Sequence, residues 1–199
     1  DRRATLLAEE RVFWQVLISV AWSVSVTLAL AAASAYSFPK LLLINAGAVL
    51  AVILIVRGRL RWAGRAGGPT FGSMLPLLLV ARAIWRFFPV GEYLLGGKDP
   101  GVYINEGIQI DRTGTIFRRD PVVAAVPAES RELFVRNHDN PEYYGLRFMG
   151  VYVNDPATGE VISGWPHLYP ASIAIGEGLA GTQGAISVVA LWAMLGLLS

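Results

Sequence analysis

The apolar run from Val12 to Ala35 most constrains this chain, because a helix needs about 20 such residues to cross a hydrocarbon core. A second run, Leu41 to Val56, follows the turn Ala35–Lys40, where Pro39 lacks an N–H and disfavours helix at the residue before it. This second span is short, so Phe38 and Lys40 are read as its interfacial anchors. A third is expected over Gly72–Val90. Composition agrees: 54% hydrophobic residues, only 16% charged and a mean hydropathy of +0.47 exclude an ordinary soluble domain. The first run exceeds the roughly 7 to 15 residues of a signal-peptide core, so it is expected to stay in the membrane. The fold class is therefore mainly α: polytopic transmembrane helices at about 12–35, 41–56 and 72–90 within residues 1–90.

Charge orients these spans. Arg57, Arg59, Arg61 and Arg65 crowd the loop 57–70 without an acidic partner, as the positive-inside rule expects of a cytoplasmic connection, and Arg2, Arg3 and Arg11 place the N-terminus on the same side. Residues 91–169 are then extracytoplasmic. Gly91 to His167 carries eleven acidic against seven basic residues, which fits that side and resembles no nucleic-acid-binding face. Within it, Asp99-Pro100 is expected to cap and start a surface helix over about 100–113, ended by Gly114. A hairpin is expected over about 147–163, turning at Asn154–Gly159, with a short helix near Ala128–Val135 before it. Residues 170–199 read as a short re-entrant helix, a break near Gly181 and a truncated fourth span, and the chain as a fragment of a longer polypeptide. With no cysteine, disulfides and thiolate metal sites are excluded.

Several residues could carry chemistry. Arg82 and Arg86 lie i to i+4 on one face of the third span, where charge is costly and usually faces protein, a cavity or the nearer interface. Arg86 can snorkel; Arg82 is deeper and suits an anionic group, a phosphate above all, because a guanidinium matches its geometry. Asp99, in Gly96–Tyr103, would sit at a lipid–water boundary. Each has a plainer reading: Asp99 as a helix cap, Glu106 as a solvated helix position, Tyr103 and Tyr169 as interfacial aromatics, and His167 as a structural histidine. No metal-ligand set is read.

Gly97-Lys98-Asp99-Pro100-Gly101-Val102-Tyr103, the run ending Ile110-Asp111-Arg112-Thr113-Gly114, and His167-Leu168-Tyr169-Pro170 together resemble the GT-C-fold polytopic glycosyltransferases. Among these the chain is most similar to the protein O-mannosyltransferase-like and aminoarabinose-transferase-like group of bacterial cell envelopes. The resemblance covers about Pro76 to the end. It departs at Pro100, where the family often has a second acid. The resemblance implies an inverting transfer of a sugar from a polyprenyl-phosphate-linked donor to a glycan, lipid or protein acceptor outside the plasma membrane, with Asp99 as general base. Arg82, Arg86 and Lys98 would stabilise the leaving phosphate, and Tyr103, Glu106, His167 and Tyr169 would bind substrate. No cofactor is assigned, a divalent cation being left open, and the fragment alone is expected to be inactive. The competing classes are a non-enzymatic membrane receptor or assembly subunit with a ligand-binding outer loop, and a transporter using Arg82 and Glu177.

Overall fold

A computed structural model describes residues 8–56, 71–91, 99–134, 144–148 and 150–198. The basic loop 57–70 and Lys98 lie outside the described residues. Helices α1 (Ala8–Ala32) and α2 (Phe38–Val56) come first. α2 starts earlier than expected, because a proline is tolerated in the first turn, where its missing N–H has no intrahelical partner anyway. Ile18, Leu43, Val49, Val52 and Ile55 are exposed on these two helices, an apolar surface suited to lipid rather than water. Helix α3 (Phe71–Phe87) contains Pro76 and stops short of the expected Val90, ahead of Pro89. At 17 residues it is shorter than the others.

The polar segment builds α4 (Asp99–Thr113) and a four-stranded antiparallel sheet in the order β1-β4-β3-β2. Its strands are β1 (Phe117–Arg119), β2 (Gly145–Phe148), β3 (Val151–Asp155) and β4 (Glu160–Ser163). The expected hairpin is thus only part of the sheet. Arg147–Val153 is not one strand, since Gly150 at φ +81° turns the chain between β2 and β3. β1 is recruited from far along the chain to pair with β4, Phe117 opposite Ile162. Between β1 and β2 come a short α5 (Pro121–Ala124) and a 3-10 turn at Ala128–Leu133, a tighter coil than the helix expected there. Val123 from α5 closes a small core with Val153 and Val161.

α6 (Leu168–Leu198) holds these parts together, packing against α4, α1 and α3. Its 31 residues are interrupted at Ala180 and at Gly181, whose φ of +60° suits glycine. The two halves then lie against each other. A Cβ on Gly176 would come within 2.6 Å of the Gly184 carbonyl oxygen, and Trp192 Nε1 donates to Ser172 Oγ at 3.1 Å. In a straight helix residues eight apart would be separated by about 12 Å. α1, α2 and α6 are long and apolar enough to cross a membrane by length and composition, which points to membrane association, but α6 reaches that length across a fold-back.

A short seam joins the apolar helices to the polar segment. Tyr36 N–H donates to the Gly114 carbonyl, Ile116 N–H to that of Ala31, and the Ser34 and Thr115 hydroxyls are hydrogen-bonded at 2.9 Å. Behind it Tyr36, Leu41, Ile110, Ile116, Ile162 and Ala174 form one buried core.

Candidate functional site

The site is built on one face of α4. Asp99, Tyr103 and Glu106 recur at spacings of four and three, so they share a helical stripe, with Asp99 and Glu106 about 10.5 Å apart along the axis. α4 lies close to α6 because residue 107 is glycine. A Cβ there would fall 2.4 Å from the Ile173 side chain and 2.8 Å from the Pro170 carbonyl oxygen. That approach brings the start of α6 under the stripe. His167 precedes the first helical residue and its carbonyl accepts from Ala171 N–H at 2.9 Å, while its Nδ1 is hydrogen-bonded to Glu106 Oε1. Tyr103 meets Tyr169 edge-on, ring centres 5.5 Å apart, and touches Trp165 at 6.3 Å.

Four of the residues expected to bind substrate, Tyr103, Glu106, His167 and Tyr169, are therefore brought together. Glu106 is not a solvated helix position: it is 5% exposed, and its Oε2 is buried with no hydrogen-bond partner among the described residues. Arg82 and Arg86 sit apart on α3, both exposed, with the Arg82 guanidinium 4.6 Å from the centre of the Trp85 ring. No hydrogen bond or ion pair joins them to the stripe among the described residues.

Three Asp-Pro dipeptides share the polar segment, and their carboxylates are used differently. Asp120 caps α5, its Oδ1 accepting from Val122 N–H at 2.8 Å and Val123 N–H at 3.3 Å, while Arg147 Nε donates to Oδ2 at 2.8 Å. Burial pushes the Asp120 carboxyl up, but the Arg147 hydrogen bond, the two backbone donors and the Arg147 charge outweigh it and hold it below the usual aspartate range. Asp155 accepts from Ala157 N–H and the Thr158 hydroxyl, which likewise hold it low. Asp99 differs. It lies in the first turn of α4, exposed, with no hydrogen bond to its carboxylate among the described residues, so the expected capping bond is not formed there.

Between α4 and the sheet is a cavity of about 340 Å³ whose lining includes Val102, Glu106, Gln109, Arg118, Phe148 and Val161. Sequence reasoning missed this cavity, Arg118 and the Asp120–Arg147 pair. Asp120-Pro121 offered the same signal as Asp99-Pro100, whereas nothing local announces the Arg147 partner.

A second cluster lies at the far end of α4, where Arg112 Nη2 donates to Glu177 Oε1 at 3.0 Å. Burial, then the nearby Glu177 charge, push the Asp111 carboxyl up, with Arg112 opposing. Tyr36, beside it, is pushed up by burial and by Asp111. No group of three or more potential metal-ligating side chains occurs among the described residues. Compared with known protein families, curated proteins and solved structures, the chain finds no match.

Proposed function

We propose that this chain belongs to a membrane glycosyltransferase that moves a sugar from a polyprenyl-phosphate-linked donor to an acceptor on the extracytoplasmic face of the plasma membrane, with Asp99 as general base. The observation that carries the reading is the contrast among the Asp-Pro carboxylates: Asp120 and Asp155 are committed to their own turns, while Asp99 stands exposed and uncommitted among the described residues. A base must be within hydrogen-bond reach of an acceptor hydroxyl, and a carboxylate spent on its own backbone is not available for that.

In the reaction the acceptor oxygen bonds to the anomeric carbon, its proton passes to Asp99, and the bond from that carbon to the phosphate oxygen breaks with its electron pair. The departing phosphate is anionic, so cations rather than acids stabilise it, the role assigned to Arg82, Arg86 and Lys98. Tyr103 and Glu106 follow Asp99 along α4 and meet Tyr169 and His167 from the start of α6, and these four take the substrate-binding role. The N-terminus and the loop 57–70 are cytoplasmic, and residues 91–169 lie outside. Supporting that topology, the α1–α2 turn is hydrogen-bonded to the α4–β1 junction, which puts both at one end of the spans.

The test is Asp99→Asn in the full-length enzyme. Transfer should fall by about 10² to 10⁴, the usual contribution of a general base, with expression and donor binding kept. Turnover at the wild-type rate would remove Asp99 as base.

A further inference from the structure

Where the α1–α2 turn meets the sheet there is a second pocket, of about 330 Å³, whose chemistry sugar transfer leaves unused. It is lined by Ser34 from that turn, by Thr115, Arg118 and Arg119 in and just before β1, and by Thr158 and Glu160 from the β3–β4 hairpin. Because α1 and α2 are each long and apolar enough to cross a bilayer, the turn joining them lies at a bilayer surface, the level of lipid phosphates. The Ser34–Thr115 hydrogen bond at 2.9 Å holds the start of β1, with its two arginines, at that same level. Arg118 and Arg119 are both exposed, and neither has an ion pair or a hydrogen bond among the described residues. Ser34 adopts φ +52°, a region in which a serine is strained and a glycine would be relaxed, so its hydroxyl is presented against a backbone preference. The bond to Thr115 uses one of the two hydroxyl protons, and the other has no acceptor among the described residues. The Thr158 hydroxyl is already spent on Asp155 Oδ2. Formal charges on the lining are two positive and one negative, that of Glu160. Just outside it Lys40, whose Nζ donates to the Ala35 carbonyl, and Asp155 offset each other. One positive charge is left over.

We propose that this pocket binds the phosphodiester of an anionic bilayer lipid, Arg118 and Arg119 holding the phosphate oxygens and the Ser34–Thr115 pair donating to one of them. Guanidinium groups match phosphate geometry, and basic side chains at a bilayer surface attract anionic headgroups. A phosphodiester brings a single negative charge, which balances the lining. A headgroup that carries its own cation, such as choline, gains nothing from that balance. The source is a lipid rather than a soluble phosphate because the first turns of α2, next to Ser34, expose Leu42 and Leu43, an apolar surface for acyl chains. Asp99, Arg82 and Arg86 do not line the pocket, so the inference goes beyond the transferase reading and does not rest on it.

The full chain in detergent is titrated with tritiated dioleoylphosphatidylglycerol in a scintillation-proximity assay, with unlabelled dioleoylphosphatidylcholine and, at matched ionic strength, inorganic phosphate as competitors. Phosphatidylglycerol should saturate one site, and neither competitor should displace it at equal concentration. Arg118→Gln and Arg119→Gln should each weaken it about fivefold and the double variant about thirtyfold, the usual worth of basic side chains against an anionic lipid surface. Glu160→Gln, which keeps an acceptor for Asn154 while removing the opposing charge, should tighten binding about fivefold, a gain that a misfolded chain cannot imitate. Phosphatidylcholine competing as well as phosphatidylglycerol, wild-type affinity in the double variant, or a Glu160→Gln variant that binds no tighter would each overturn the proposal. Displacement by inorganic phosphate at equal concentration would overturn it too, by assigning the pocket to a soluble anion. Because the readout is lipid binding, its failure is separate from a failure of sugar transfer.

Discussion

Asp99-Pro100 and Asp120-Pro121 start helices at two corners of the same polar unit, and the dipeptide is the only thing they share. Asp120 is 6% exposed, spends both oxygens on Val122, Val123 and Arg147, and ties α5 to the sheet. Asp99 is exposed and spends neither on a described residue. The difference teaches that the same dipeptide commits its carboxylate to the fold when another element closes over it and leaves it uncommitted, among the described residues, when none does. Proline fixes the backbone in both cases; what packs above the aspartate decides its work.

The largest expected effect that sharpens this comparison is the loss of transfer in Asp99→Asn, and its counterpart is that the same variant should melt at the wild-type temperature in detergent. If Asp99→Asn instead lowered the midpoint as much as a change at Asp120, the contrast would collapse. Next, Asp120→Ala should destabilise the polar unit by about 1–2 kcal/mol through the lost cap, with an added cost for the unpaired Arg147; Asp120→Asn, which keeps an acceptor, should lose less. Chemical denaturation followed by tryptophan fluorescence would check the order. The Asp120 carboxyl also gives a pH dependence. Its folded-state value lies below the unfolded one, so its contribution to stability is complete above about pH 4 and fades as the pH falls through the folded value. Asp120→Asn should flatten that acid limb, and an unchanged limb would assign acid sensitivity elsewhere. The smallest effect is at the other end of α4. Glu177→Gln should move the Asp111 titration, read by carboxyl carbon NMR, toward the ordinary range by removing the neighbouring charge.

What the residues reveal on their own follows from how far the physics reaches. α1 and α2 are legible because bilayer thickness demands a continuous apolar run, and the break near Gly181, though not the packing of the two halves on each other, because glycine accepts a positive φ. The start of α4 at Asp99 is legible from the Asp-Pro signal. The sheet is not, since β1 and β4 pair across a gap that no local pattern spans, and Gly150 splits an apparent strand. Among the candidate residues, Tyr103, Glu106, His167 and Tyr169 could be named individually. Their convergence depends on Gly107 admitting Ile173, which sets α6 against α4 and brings His167 onto Glu106. Such facts belong to tertiary contact, so composition and spacing carry no trace of them.

The seam of Ala31, Ser34 and Tyr36 against Gly114, Thr115 and Ile116 has a mechanical consequence. Its hydrogen bonds clamp the α1–α2 turn to the end of α4, so these helices cannot slide like pistons beneath the polar unit. Any rearrangement of these helices relative to the polar unit must therefore break or carry along those hydrogen bonds.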